Sequence, residues 1–414
     1  MEVEIISKES IKPSSPTPCH LRIFKLSVLD QLIPAPYAPI ILFYPSGLVD
    51  VPKKLESLKK SLSNTLTRFY PLAGEIKDDL SIDCNDQGAH YVEATVHCPL
   101  RQFLSKPDLL LLHRFLPCEL VLKESDTRTN YVTNIQINVF ECGGIAVGIC
   151  ISHKILDGSA LSTFLKAWAS TAGCCKQEIV QQPNFQEATN SLFPTNDLLL
   201  RDTSIVMFDS LFRKGKCVTK RFVFDASAIS ILKARASSER VQQPTRIEAV
   251  SGFIWQCAIA ASKVKHGSPW PRPSLVTHLV NLRRRVAPPL SDSEYSIGNL
   301  LWIAAAKSPS ASAEDDEEGM RGLVSELRDA LSKVDSEYVK RLRDFGWGKP
   351  VWVSSVGSSG SVFMNLVILV ETRLGDGIEA WVSLDEHDMA LLECNQELLN
   401  FVSMDPSPFS LFCF

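Results

Sequence analysis

The chain has 414 residues, of which 45% are hydrophobic and 22% charged, with a formal net charge of −4. This is an ordinary globular composition, and the length exceeds what a single hydrophobic core usually organises, so we expect two domains. The net charge of −4 gives no indication of nucleic acid or an anionic membrane surface as the main partner, because both need clustered basic charge.

The N-terminus and the cysteines indicate a cytoplasmic protein. The first ten residues, MEVEIISKES, carry glutamates and lack the long apolar core of a secretory signal. Apolar runs such as 145–151 are far shorter than the roughly 20 residues of a membrane-spanning helix. The 12 cysteines form no C-x-x-C pair, so we expect reduced thiols and no metal site.

Strand and helix patterns mix through the N-terminal part. Residues 135–139 (IQINV) alternate apolar with polar side chains, which predicts a strand with one buried face. Residues 141–144 (ECGG) predict a hairpin turn, and the return run 145–151 is apolar on both faces, which predicts a buried interior strand. The apolar positions of 161–168 then fall at helical spacing.

Polar, irregular sequence separates this part from the rest of the chain. We therefore predict an N-terminal domain over 1–180, a crossover loop over 181–216 and a C-terminal domain over 217–414, of which a segment after residue 350 can return to the first domain. In the C-terminal domain, Thr245 and Glu248 form the capping box of a predicted helix.

The stretch ISHKILDG, residues 151–158, places His153 and Asp157 directly after the predicted interior strand. Functional side chains collect in loops after buried strands, and Gly158 would let the backbone turn tightly and a ligand approach. A neutral imidazole, with an ordinary pKa of about 6.5, can take a proton from an alcohol or amine. The residues leave two interpretations open: a general base, or a hydrogen-bonded polar histidine at a strand end.

Other catalytic arrangements find little support. The chain has no G-x-S-x-G, H-E-x-x-H, P-loop or G-x-G-x-x-G pattern. Cys150 precedes His153 by three positions, which on a strand places the two side chains on opposite faces. We therefore do not expect a Cys–His dyad.

Further along the chain, residues 344–348 read DFGWG. Taken alone, they predict a glycine-rich turn with packed aromatic rings. H-x-x-x-D followed by glycine, with DFGWG downstream, resembles the plant BAHD acyl-CoA-dependent acyltransferases. YPLAG at 70–74, TRIEA at 245–249 and the run from Arg283 to Asn299 match the family in the same order, so the resemblance covers nearly the whole chain.

The resemblance implies an α/β fold with two similar domains, each with a mixed sheet, as in chloramphenicol acetyltransferase. A channel between the domains would admit acyl-CoA from one face and a small-molecule acceptor from the other. No metal and no bound cofactor are implied, since acyl-CoA is a co-substrate. The family is usually monomeric.

The same resemblance assigns roles to individual residues. His153 is implied as the catalytic base, while Asp157 points away from the channel and pairs with Arg283. Asp344 is implied as structural support. Candidate channel-lining residues are Gly158, Asn299 and Trp347. The run 11–31 resembles the alkaloid- and terpenoid-acetylating group of the family, which implies transfer of an acetyl group from acetyl-CoA to a hydroxyl.

One departure from the family affects the expected activity. The helical pattern of 336–343 runs directly into Asp344, where the family has a strand carrying a Ser/Thr-x-Trp pattern. Without that strand, the second sheet loses backbone partners and the channel loses a candidate oxyanion donor, worth ~10²–10³ in rate. Two alternatives stay open: a catalytically impaired CoA- or partner-binding relative, and a hydrolase that passes the acyl group to water.

Overall fold

A computed structural model describes residues 1–33, 37–46, 50–117, 131–173, 182–186, 192–195, 212–214, 217–266, 274–286, 295–308, 317–338, 362–372 and 375–407. The DFGWG stretch, with Asp344 and Trp347, lies outside these ranges, as does the junction before Asp344 where the sequence predicts that a family strand is missing. The chain divides into two compact units, and Asn281–Leu301 belongs to the first although it lies inside the predicted C-terminal domain. The predicted crossover of 181–216 is described only in part, so the domain boundaries stay a prediction.

The first unit is built from short and long strands with helices between them. Its strands are β1 (Val3–Ile11), β2 (Ile23–Lys25), β3 (Tyr37–Tyr44), β4 (Glu75–Ile76), β5 (Ser81–Asp83), β6 (Ala89–Val96), β7 (Thr133–Phe140) and β8 (Ile145–Ser152). Its helices are α1 (Val28–Gln31), α2 (Val51–Arg68), α3 (Leu100–Ser105) and α4 (Gly158–Ala172).

The main sheet of the first unit is mixed and has the order β1-β6-β7-β8-β3. Strands β6 and β7 run parallel, and the other neighbours are antiparallel. The predicted hairpin between β7 and β8 is confirmed, with Gly143 at a positive φ of 76° in its turn. Strand β8 lies between β7 and β3, and all of its residues are buried, as the sequence predicts.

The prediction of a half-buried β7 is wrong, because its polar side chains are buried as well. Gln136 Nε2 donates to the backbone carbonyl of Arg114 at 2.9 Å, and Asn138 Nδ2 donates to the carbonyl of Phe115 at 3.0 Å. These bonds tie the 3₁₀ turn Leu109–Phe115 to the sheet. The alternating polar residues of β7 therefore hold the 3₁₀ turn against the sheet and do not face solvent.

Helices α2 and α4 supply the core on the other face. Phe69, which follows α2, meets Phe164 of α4 edge to face, with ring centroids 5.4 Å apart, and both rings are fully buried. Trp168 Nε1 donates to Ser61 Oγ at 3.0 Å, which satisfies its polar atom inside this core. The packing of α4 thus anchors the loop before it, which carries His153 and Asp157.

The second unit also mixes strands and helices. Its strands are β9 (Phe212–Lys214), β10 (Cys217–Phe224), β11 (Leu275–Asn281), β12 (Leu301–Lys307), β13 (Val362–Met364), β14 (Leu366–Glu371), β15 (Ile378–Asp385) and β16 (Ser403–Met404). Its helices are α5 (Ala226–Ala236), α6 (Arg246–His266), α7 (Glu317–Ser332), α8 (Glu386–Glu393) and α9 (Gln396–Leu399). The largest sheet has the order β14-β15-β10-β16, and β11 pairs with β12 and β13 with β9.

Local signals in the second unit are confirmed. The Thr245 amide donates to Glu248 Oε2 at 2.8 Å, and the Glu248 amide donates to Thr245 Oγ1 at 3.2 Å, which is the predicted capping box of α6. Across the described ranges of the whole chain, none of the helices combines the length and apolar character needed to cross a membrane.

Candidate active site

His153 lies one residue beyond β8, and its position is fixed by the loop between β8 and α4. Ile155 is fully buried and Leu156 is 3% exposed, so the loop is anchored in the core of the first unit. The Lys154 amide donates to Ser152 Oγ at 3.3 Å. His153 itself is only partly buried, which leaves its ring accessible at the end of an otherwise buried strand.

The ring of His153 contacts the side chain of Asn299. Asn299 Nδ2 donates to the backbone carbonyl of His153 at 2.7 Å and to Asp30 Oδ1 at 2.8 Å. Both partners are pure acceptors, so the amide nitrogen must face them, and Asn299 Oδ1 then faces His153 Nδ1 at 3.0 Å. Because an amide oxygen only accepts, Nδ1 carries the proton in neutral His153 and Nε2 keeps its lone pair.

Asp30 holds Asn299 from behind. Its Oδ1 accepts from the Asn299 amide nitrogen at 2.7 Å as well as from Nδ2, and its Oδ2 accepts from Ser27 Oγ at 2.6 Å. Burial raises the pKa of Asp30, while the hydrogen bonds from Ser27 and Asn299 oppose that rise. The sequence analysis missed Ser27 and Asp30 as site residues. Their S-x-x-D spacing predicts a helix cap, but it does not predict a bond to a residue 269 positions away.

The structure brings Asp157 together with Arg283. Arg283 Nη1 donates to Asp157 Oδ2 at 2.6 Å, and both side chains are almost fully buried. Asp157 also caps α4 by accepting from the Ala160 amide at 2.9 Å, and its Oδ2 accepts from the Leu300 amide at 3.1 Å. These hydrogen bonds go to the loop's surroundings and not to the His153 ring, so Asp157 acts on the shape of the loop.

Arg283 is itself satisfied by carbonyl groups of the same segment. Its Nε and Nη2 donate to the carbonyl of Ser296 at 3.1 and 2.9 Å, and Nη2 also donates to Gly298 at 3.0 Å. The segment that carries Asn299 is therefore folded around the Arg283 side chain. One arginine fixes both the Asp157 loop and the approach of Asn299 to His153.

Two predicted channel residues have different surroundings from those expected. Asn299 is 0% exposed, so it supports His153 from behind and does not line open space. Gly158 is exposed as the first residue of α4; it is not among the residues with positive φ, and a Cβ added to it would meet no atom within 4 Å. Gly158 thus faces open space, but no tight turn depends on it. Asp344 and Trp347 lie outside the described residues.

The comparisons with known proteins give the family. The Transferase family model matches residues 1–344 and 341–399. An epi-neemfruitin B 7-O-acetyltransferase of Melia azedarach is 39% identical, covering 99% of this chain and 100% of that protein, and a limonoid 7-O-acetyltransferase of Citrus sinensis is 41% identical with the same coverage. The chain therefore belongs to the BAHD acyltransferases, the acyl-CoA-dependent O-acyltransferases of plant specialised metabolism.

Within that family, the chain falls in the vinorine synthase-like group. Vinorine synthase of Rauvolfia serpentina is 35% identical over 98% of this chain and 99% of that protein. The crystal structure of vinorine synthase aligns with a TM-score of 0.78 at 33% identity, covering 99% of this chain and 100% of that one. At 18% identity, F. sporotrichioides TRI101, solved with coenzyme A and T-2, shares the fold with a TM-score of 0.63. The expected two-domain α/β fold with mixed sheets is confirmed.

The family-model match is interrupted at the junction before DFGWG, where the sequence predicts a missing strand. The two matches to the family model meet at residues 341–344, directly before and within the start of DFGWG. The alignment to the Melia relative runs over 462 positions, more than the 414 residues of this chain, so it opens gaps in this chain. The relatives are nevertheless named as active enzymes, and the alternative of a catalytically impaired binding protein is not favoured.

Proposed function

We propose that this protein transfers an acetyl group from acetyl-CoA to a hydroxyl of a plant terpenoid or alkaloid, with His153 as the general base. Two relatives near 40% identity are named as 7-O-acetyltransferases, and one of them acts on limonoids. These names favour a terpenoid hydroxyl over an alkaloid as the first acceptor to test. The neighbours solved with coenzyme A support acyl-CoA as the co-substrate.

The proposed reaction uses the free nitrogen of His153. Nε2 removes the proton of the acceptor hydroxyl, and the oxygen attacks the thioester carbonyl carbon to give a tetrahedral oxyanion. This intermediate collapses by breaking the carbon–sulfur bond, and the CoA thiolate takes the proton back from the imidazolium. General-base catalysis of this kind contributes ~10²–10⁴-fold.

The observation that carries the proposal is the contact between Asn299 Oδ1 and His153 Nδ1 at 3.0 Å. A histidine with its Nδ1 proton engaged is prepared to accept a proton at Nε2. The alternative, a merely structural histidine, does not account for a partly exposed residue at the end of a fully buried strand. The role of Asp157 and Arg283 is to hold the loop, and Asp344 and Trp347 stay predicted as support and channel lining.

The test measures CoA release from acetyl-CoA with and without a pool of limonoid and indole-alkaloid alcohols. His153→Ala is compared with His387→Ala, which changes an exposed histidine in the first turn of α8. We expect acceptor-dependent release by the wild type and by His387→Ala, and loss of at least ~10²-fold in His153→Ala. Acceptor-independent release would instead support hydrolysis. Full activity in folded His153→Ala would refute the general base.

The cytoplasmic location and the monomeric state also stay predictions. Fluorescent fusion imaging in plant cells tests the first, and light scattering on the purified protein tests the second. A dimer with unchanged activity would alter the expected assembly without touching the proposed chemistry.

A further inference from the structure

Asp30 is a buried carboxylate on which four donors converge. Its Oδ1 receives the backbone amide and Nδ2 of Asn299 at 2.7 and 2.8 Å. Its Oδ2 receives the backbone amide and Oγ of Ser27 at 3.0 and 2.6 Å. A carboxylate with both oxygens filled by donors is in the arrangement that suits its ionised form.

The surrounding charges support an anion at this position. Lys154, which directly follows His153, is 3% exposed and interacts electrostatically with Asp30. Burial lowers the pKa of Lys154, while Asp79 and Asp30 oppose that shift. Asp79 lies on the outer side, with Oδ1 3.7 Å from the Lys154 ammonium. Lys154 therefore supplies positive charge near Asp30.

We propose that Asp30 is a positioning residue for acyl transfer, which acts through Asn299 to fix the tautomer and orientation of His153. This inference rests on the proposed role of His153 as the base. Asp30 accepts only, and together with the backbone carbonyl of His153 it selects the amide orientation of Asn299 in which Nδ2 points to these two acceptors and Oδ1 points to His153 Nδ1. The tautomer and orientation of the His153 ring are thus fixed by two successive hydrogen bonds, one between Asn299 and Asp30 in α1 and one between Asn299 and His153.

Loss of the Asp30 charge would weaken that selection, since the backbone carbonyl of His153 would then hold Nδ2 without the help of a carboxylate. With an amide at position 30, a donor can face Asn299, and the Asn299 side chain can turn so that its Nδ2 faces His153 Nδ1. A donor there would favour the tautomer with the proton on Nε2, which cannot remove a proton from an acceptor.

The experiment is a double-mutant cycle with Asp30→Asn, Asn299→Ala and the double variant. We expect Asp30→Asn to lower kcat by about 10²-fold with little change in the KM for acetyl-CoA. The double variant should be no slower than Asn299→Ala alone, because both changes break one chain.

Two results would overturn the assignment: additive losses in the double variant, or wild-type kcat in Asp30→Asn. NMR of isotopically labelled histidine, recorded on the wild type, on Asp30→Asn and on a folded His153→Ala, supplies a readout that needs no turnover. His153 is assigned by the signal missing from His153→Ala, and the wild type should carry its proton on Nδ1. A proton on Nε2 would refute the inference directly. If the wild type shows the Nδ1 tautomer and Asp30→Asn loses it, but the wild type transfers no acetyl group, the proposed function fails while the Asp30 linkage stands.

Discussion

Arg283 Nη1 lies 2.6 Å from Oδ2 of Asp157, although the two residues are 126 positions apart in the chain. The pair joins the loop after β8 to the segment that carries Asn299. Since a buried ion pair is costly to break on one side, this contact ties the geometry around His153 to the stability of the first unit.

Asp157→Ala should therefore destabilise the protein strongly. The substitution removes the cap of α4 and leaves the Arg283 guanidinium buried without its carboxylate, so we expect a loss of about 3–5 kcal/mol in the free energy of unfolding. Urea denaturation followed by circular dichroism measures it. Asp225→Ala is the matched control, because Asp225 caps α5 at the Ala228 amide but is exposed, and its loss should cost only about 1 kcal/mol. Equal losses in the two variants would contradict a special role for the ion pair.

Gly158→Ala should test substrate binding beside the His153 loop without disturbing the fold. The added Cβ meets no protein atom within 4 Å, so the thermal midpoint should stay the same or rise slightly, as expected for alanine in a helix. If the open space beside the His153 loop receives a substrate, kcat/KM should fall. Gly322→Ala in α7 is the control, since its added Cβ also meets nothing within 4 Å. Full activity in both variants would show that the substrates leave this space empty.

Gly148→Ala should disrupt β8. A Cβ at this position would lie 1.9 Å from the backbone oxygen of Phe115, which is held by Asn138 and cannot move as a flexible side chain could. We expect a loss of more than about 1–3 kcal/mol, the usual cost of overpacking, or failure to fold. Thermal unfolding of the purified variant measures it. Normal stability would mean that the 3₁₀ turn can shift away from the sheet.

Arg328 and Glu248 should give the second unit a pH-dependent contribution. Burial alone would raise the pKa of Glu248, but hydrogen bonds from Arg328 and Thr245 outweigh it and lower the pKa. A lowered carboxyl pKa gives stability that is present above the unfolded value of about 4.3 and is lost as the pH falls through the folded value. Arg328→Met should cost about 1 kcal/mol at neutral pH, because the 36% exposed Arg328 is screened by solvent.

The measurement for this pair is the difference in thermal midpoint between wild type and Arg328→Met at pH near 7 and near 3. The difference should shrink at the acidic pH, because protonation of Glu248 in the wild type progressively removes the charge pair. Arg240→Met is the control, since Arg240 and its partner Asp329 are both largely exposed, and it should show little effect at either pH. A constant difference for Arg328→Met would mean that lost packing, rather than the charge pair, sets its stability.

Local patterns in the sequence were sufficient to predict the secondary-structure elements around His153. The apolar run of β8, the hairpin at 141–144 and the cap at Asp157 each depend on neighbours within a few positions, so composition and spacing predict them. The polar positions of β7 misled the same reasoning. Gln136 and Asn138 donate hydrogen bonds to a turn some twenty residues earlier. The alternation of polar and apolar residues cannot distinguish such buried, hydrogen-bonded side chains from side chains that face solvent.

The sequence by itself determined the family, the interior strand and the histidine at its end, because these follow from motifs and short-range periodicity. Only the tertiary structure decided how that histidine is oriented. Asn299 and Asp30 are separated by 269 positions, and neither residue type predicts which residue it will bond to. The direction of the Asn299 amide depends on which acceptors surround it, and that is a property of the folded chain alone.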